Sequence, residues 1–155
     1  MKTKLFFAFI FFVSTFNQLL SQEDAYKALL KRSSVCVHKA QKQMLASKKT
    51  DLGGKLAKAV LLQSYAVKLY AQKKEAEAAC VSLHARQLAF EIIKETSARE
   101  DTYSLATEEE KKLIAACSDE ITMIKESKKA LPAFSEKDTD YNNPKSLNET
   151  NVDIR

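Results

Sequence analysis

The sequence predicts an all-α fold, an antiparallel bundle of about four helices, on three observations. Its 155 residues hold only two glycines, Gly53 and Gly54, and two prolines, Pro132 and Pro144, so the chain has few places to turn. Alanine, leucine, lysine and glutamate dominate the remainder, and all four are good helix formers. Apolar residues recur at spacings of three and four, which gathers them on one face of a helix.

The chain opens MKTKLFFAFIFFVSTFNQLLSQ. Lys2 and Lys4 precede an apolar run from Leu5 to Phe16, followed by polar Asn17 and Gln18 and then by Leu19, Leu20 and Ser21. Basic, apolar and small-residue regions in that order read as a secretory signal peptide, residues 1–21, cut after Ser21. The run is shorter than the roughly 18 to 20 apolar residues a membrane span requires, so no transmembrane span is expected after cleavage. Residues 22–131 are then a helical bundle domain, and 132–155 an irregular, mobile C-terminal tail that is polar and without periodicity. Asn148, Glu149 and Thr150 in that tail form a glycosylation sequon, meaningful only in a eukaryotic secretory route.

The first helix of the bundle is expected from Glu23 to Lys49. Tyr26, Leu29, Leu30, Val37, Ala40 and Met44 form its apolar stripe with Cys36 beside Val37, while His38 falls on the outer side. The glycine pair in TDLGG is expected to end it. From Lys55 to Gln72 apolar residues go nearly all the way round, which marks the helix at the centre of the core. The next helix, Glu75 to Thr96, buries Val81, Ala85, Leu88 and Ile92 on one stripe and Ala79, Leu83, Phe90 and Ile93 on another. Gln72 to Glu75 holds no strong breaker, so one continuous helix over 55–96 competes with a hairpin. Thr107 followed three residues later by Glu110 is a reciprocal capping pair. It opens a last helix with Ile114, Cys117, Ile121 and Ile124 buried, which stops near Ala130 ahead of Pro132.

Around the second and third helices the residues resemble one tetratricopeptide repeat unit, a TPR-like helical hairpin whose helices interlock through small residues. Leu62, Tyr65, Ala66 and Leu69 match its first helix, and Ala78 and Ala85 match the two small positions of its second. Ser82 stands where a large aromatic is usual, Phe90 where proline is usual, and Lys73 where the turn glycine is usual. Shifting the frame by one repeat length finds no second unit, and a solenoid needs about three. The resemblance therefore implies hairpin geometry within a four-helix bundle.

Charge is uneven. Residues 22–74 carry 12 basic against 3 acidic side chains and residues 75–131 carry 8 against 12. The lysines recur opposite apolar residues with no aromatic platforms between them, so a solvated face is expected and nucleic acid is not.

The sequence lacks a glycine-rich phosphate loop, a GxSxG elbow, an HExxH metal motif, a CxxC pair and a CxxCH haem attachment. No catalysis and no cofactor are expected. Cys80 and His84, four residues apart, share the polar face of the third helix with Glu77 one turn earlier. Together they form a candidate soft-metal set of Glu77, Cys80 and His84, set against a plain solvent-edge cysteine and histidine. Cys36 and Cys117 lie on buried stripes, each about 20 Å from the same bundle end at 1.5 Å per residue. If the first and last helices are neighbours, a Cys36–Cys117 disulfide is expected in an oxidising compartment; otherwise both remain buried thiols.

These features describe an exported protein of the bacterial periplasm or cell envelope. Its expected role is as a protein-interaction or structural component whose partner is another envelope protein. The alternative is a small metal- or redox-responsive binding protein using Cys80 and His84.

Overall fold

The computed structural model describes residues 3–47, 49–97, 107–115, 117–131 and 152–153, with side chains from Asp24 onward. Among these residues the fold is an all-α bundle without strands. Helix α1 spans Thr3–Ser47, α2 Gly53–Ala71, α3 Glu75–Thr96, α4 Glu108–Ala115 and α5 Glu120–Ala130, with a short 3₁₀ turn at Thr50–Leu52 before α2. Among the described residues, no helix is long and apolar enough to cross a membrane.

Side-chain bonds fix the directions of the helices. Arg86 of α3 reaches Leu29 and Ser33 of α1, and Gln43 of α1 reaches Thr96 and Ser97 at the end of α3. Hence α1 and α3 run parallel. Lys55 of α2 meets Glu91 and Glu95, while Gln63 meets Ser82, so α2 runs antiparallel to α3. Lys58 faces Glu120, and Lys68 donates to the Ala130 carbonyl at 2.8 Å. That lays α5 alongside α2. The element with extensive packing on both sides is α3, which lies against α1 and α2.

The apolar periodicity that predicts the core is largely realised. Leu29, Leu30, Cys36, Val37, Ala40 and Met44 of α1 are all buried, as are Leu56, Val60, Leu61, Leu62 and Leu69 of α2. Alanines are frequent in the core of α2 and α3: Ala59, Ala66, Ala78, Ala85 and Ala89 are fully buried.

Four expectations are corrected. Gly53 and Gly54 do not cap α1; they open α2, with no glycine at positive φ. Helix α1 is not confined to Glu23–Lys49, because nothing between Thr3 and Ser47 breaks the backbone ladder. The last helix is interrupted between Ala115 and Glu120. There Asp119 takes an N-cap conformation and its Oδ1 accepts from the Thr122 N–H at 2.9 Å, a local bond that competes with helix continuation. The restart changes the rotational register, so Met123 and Ser127 are buried while Ile121 is 80% exposed. Finally, Val152 and Asp153 of the tail are irregular as expected but docked rather than mobile. Val152 is fully buried and its carbonyl accepts from Ser34 Oγ at 2.6 Å and from Gln63 Nε2 at 3.3 Å. Residues 132–151, including the Asn148 sequon, lie outside the described residues.

Between α2 and α3 the chain forms a hairpin rather than one helix. Lys73 has φ 63°. The Lys74 N–H donates to the Leu69 carbonyl at 3.1 Å and the Lys73 N–H to the Tyr70 carbonyl at 3.0 Å, which is the Schellman closure with its left-handed residue at Lys73. A lysine there bears the Cβ strain that glycine lacks. Lys73→Gly is expected to raise stability by about 0.5 to 1 kcal/mol, after allowing for the freer unfolded chain, and thermal melting checks it.

The docked tail yields a second expectation. A chain ending at Asn151 leaves the Val152 pocket empty and two buried donors short of an acceptor. It should lose about 2 kcal/mol of stability, read from urea unfolding.

Candidate functional site

Arg86 is 6% exposed in the middle of α3, one turn after Ser82 on a face turned toward α1. A guanidinium there requires acceptors in every direction it donates. Its Nε donates to Ser33 Oγ at 3.0 Å, one Nη2 bond reaches the Leu29 carbonyl at 3.0 Å, and Nη1 meets Glu110 Oε2 at 3.0 Å. Ser33 in turn donates to the Leu29 carbonyl at 3.1 Å.

Glu110 arrives from the first turn of α4, and the predicted capping pair places it. The Glu110 N–H donates to Thr107 Oγ1 at 3.2 Å, and the Thr107 N–H donates to Glu110 Oε2 at 2.8 Å. The same carboxylate also binds Arg86 and, through Oε1, Arg32 of α1. Burial is the strongest influence on its proton affinity and acts to raise it. Hydrogen bonds from Arg32, the Thr107 N–H and Arg86, with the charge of Arg86, outweigh burial and hold Glu110 below its ordinary value.

Above this triad, α1 and α4 bound an open groove of about 590 Å³. Ala25, Tyr26, Ala28 and Leu29 form one wall and Leu113 the other, with Arg32, Glu110 and Lys112 supplying the polar groups. Arg32 is 53% exposed, whereas Glu110 is nearly covered. The groove therefore offers an apolar trough with a cationic edge. Its carboxylate is committed to three donor residues, which leaves it no basic oxygen poised for proton transfer.

The cysteines are arranged differently from the expectation. Cys80 of α3 is bonded to Cys117, with Cα atoms 5.5 Å apart, and Cys36 is a free, buried thiol. The Cys36–Cys117 disulfide expected from neighbouring first and last helices is thus overturned, because α5 lies along α2 and the break before it brings Cys117 against α3. The candidate metal set of Glu77, Cys80 and His84 is overturned with it. A disulfide sulfur is no thiolate ligand, and Glu77 pairs with Lys74 at 3.5 Å. Among the described residues, no three His, Cys, Asp or Glu side chains are grouped to hold a metal ion. Burial, opposed by the charges of Arg86 and Lys39, pushes the Cys36 thiol up to about 11.

Sequence reasoning missed Arg86 as a buried residue and read Glu110 only as a cap. The available signal was Arg86 itself: on the helical wheel it falls among Ser82, Leu83, Ala89 and Ile93, which are all buried. A lone arginine at such a position requires a carboxylate from elsewhere. No family model matches this sequence, and neither a curated protein nor a solved structure matches it.

Glu110→Gln removes the carboxylate charge that meets Arg86 among the described residues and is expected to cost about 3 kcal/mol at neutral pH. Because the folded-state affinity of Glu110 for protons is lowered, its contribution is complete above the ordinary value of 4.5. It is lost as pH falls through the depressed folded value. Stability measured from pH 7 down to pH 3 should therefore fall less steeply below pH 4.5 in Glu110→Gln than in the wild type.

Proposed function

We infer that this is an exported helical protein of the bacterial envelope, acting as a protein-interaction or structural component with no catalysis of its own. The observation that carries the export reading is the Cys80–Cys117 disulfide, since such a bond persists in oxidising compartments and is rare where glutathione keeps thiols reduced. It agrees with the basic, apolar and small-residue order of residues 1–21. Beside it, the α2–α3 hairpin with Ala78 and Ala85 buried supports a TPR-like helix pair.

The groove between α1 and α4 supports the interaction reading. Apolar walls with Arg32 and Lys112 at the edge suit an apolar side chain on a partner whose flanks are acidic. The partner in this reading is another envelope protein.

Two measurements test the proposal. Intact mass of the protein from the envelope fraction should begin at Gln22 and fall by the two hydrogens lost to one disulfide; an unprocessed chain with three free thiols in the cytosol rejects export. Ala28→Arg fills the groove from a partly exposed position. It should reduce recovery of the bound partner more than tenfold, with the melting temperature kept within about 2 °C, a surface-substitution effect. Unchanged recovery removes the groove from the interface.

A further inference from the structure

The seat of Val152 and Asp153 is more elaborate than anchoring a chain end requires. Three polar side chains are buried inside the helical core around it: Ser34 is 4% exposed, and Gln63 and Ser82 are fully buried. Ser82 Oγ donates to Gln63 Oε1 at 2.8 Å, which fixes the amide so that both of its N–H bonds point away from α3. One reaches the Leu30 carbonyl at 3.2 Å, the other the Val152 carbonyl at 3.3 Å. Ser34 Oγ lies 2.6 Å from the same carbonyl and 3.0 Å from Asp153 Oδ1. His38 Nε2 lies 3.1 Å from Asp153 Oδ1, and its Nδ1 lies 3.0 Å from Gln41 Oε1.

Each recognition element corresponds to a generic peptide feature. Two convergent donors meet a main-chain carbonyl, a closed apolar pocket takes the side chain of the same residue, and an imidazole at the rim meets the carboxylate that follows. Main-chain bonds supply affinity in such sites and side-chain pockets supply selectivity. Ordering three polar groups inside a core is expensive unless all are satisfied. A chain end that served only to cover apolar surface would be held more cheaply by apolar contacts.

We propose that the cleft between α1 and α2 is a peptide-binding seat for an apolar residue followed by a carboxylate, that Val152–Asp153 fills it intramolecularly, and that the partner protein displaces them with the same pair. The proposal rests on the interaction reading for the existence of a partner, but the seat is separate from the α1–α4 groove. Twenty residues join Leu131 to Val152, and a tethered occupant competes at an effective concentration on the order of millimolar. The resident tail thus sets a threshold that only a well-matched segment crosses.

The full chain is titrated with a fluorescein-labelled synthetic peptide spanning Leu147–Arg155, followed by anisotropy. Wild type should bind it weakly, and Val152→Asp in the chain, which ejects the resident tail, should bind it at least tenfold more tightly. On that variant, peptides carrying Val152→Asp or Asp153→Lys should bind at least tenfold more weakly, and Ser34→Ala in the chain should weaken binding of the unaltered peptide. Should Val152→Asp fail to fold, Asp153→Lys in the chain replaces it, because that side chain is 63% exposed and loosens the tail without a core lesion. A concentration-dependent wild-type dimer dissolved by the peptide also supports the seat, filled then by a second copy. Equal affinity of wild type and tail variants, or equal binding of altered and unaltered peptides, overturns the proposal. Ala28→Arg leaves peptide binding unchanged, so failure at the groove and failure at the seat are distinguishable.

Discussion

The position of the fourth helix follows from one requirement, the neutralisation of Arg86. A guanidinium buried in the middle of α3 is tolerable only with a carboxylate against it, and Glu110 is the carboxylate that arrives. Because Glu110 also closes the capping pair with Thr107, the start of α4 is pinned in the same place. Helix α4 is eight residues long, too short to hold its position through propensity alone. Its second attachment is Cys117, bonded to Cys80. Both anchors lie on α3, six residues apart, about 9 Å along the helix at 1.5 Å per residue.

Periodicity made three helices legible. The bounds Glu75 and Thr96 were readable because charged residues flank a double apolar stripe, and α3 has those bounds. The heavy burial of α2 was legible in its composition. Neighbour relations were not, since a helical wheel says which face is buried and not against what. The expected four-helix order made the first and last helices adjacent; the last one instead runs beside α2, and its register is reset by Asp119.

Buried polar residues were the second blind spot. Gln63, Ser82 and Arg86 each occupy positions that the apolar pattern assigns to the core, and a pattern reading treats them as tolerated exceptions. Their geometry shows that each is satisfied across an interface: Gln63 joins α2 to α1, α3 and the tail, while Arg86 joins α3 to α1 and α4. Such bonds are directional and demand a specific register. Likewise, the tail reads as polar and irregular, and one valine in it carries the contact that matters.

The burial of Cys36 has a chemical consequence for the Cys80–Cys117 cross-link. A loop with a sequence separation of 37 gains on the order of 4 kcal/mol from its disulfide in the chain-entropy account, but only while the pairing is preserved. Exchange begins with attack by a thiolate. At about 11, the Cys36 thiol is almost entirely protonated in neutral solution, and its Sγ donates to the Arg86 carbonyl oxygen 3.9 Å away. The folded chain therefore holds its third cysteine chiefly as the thiol, the form that does not attack the bond.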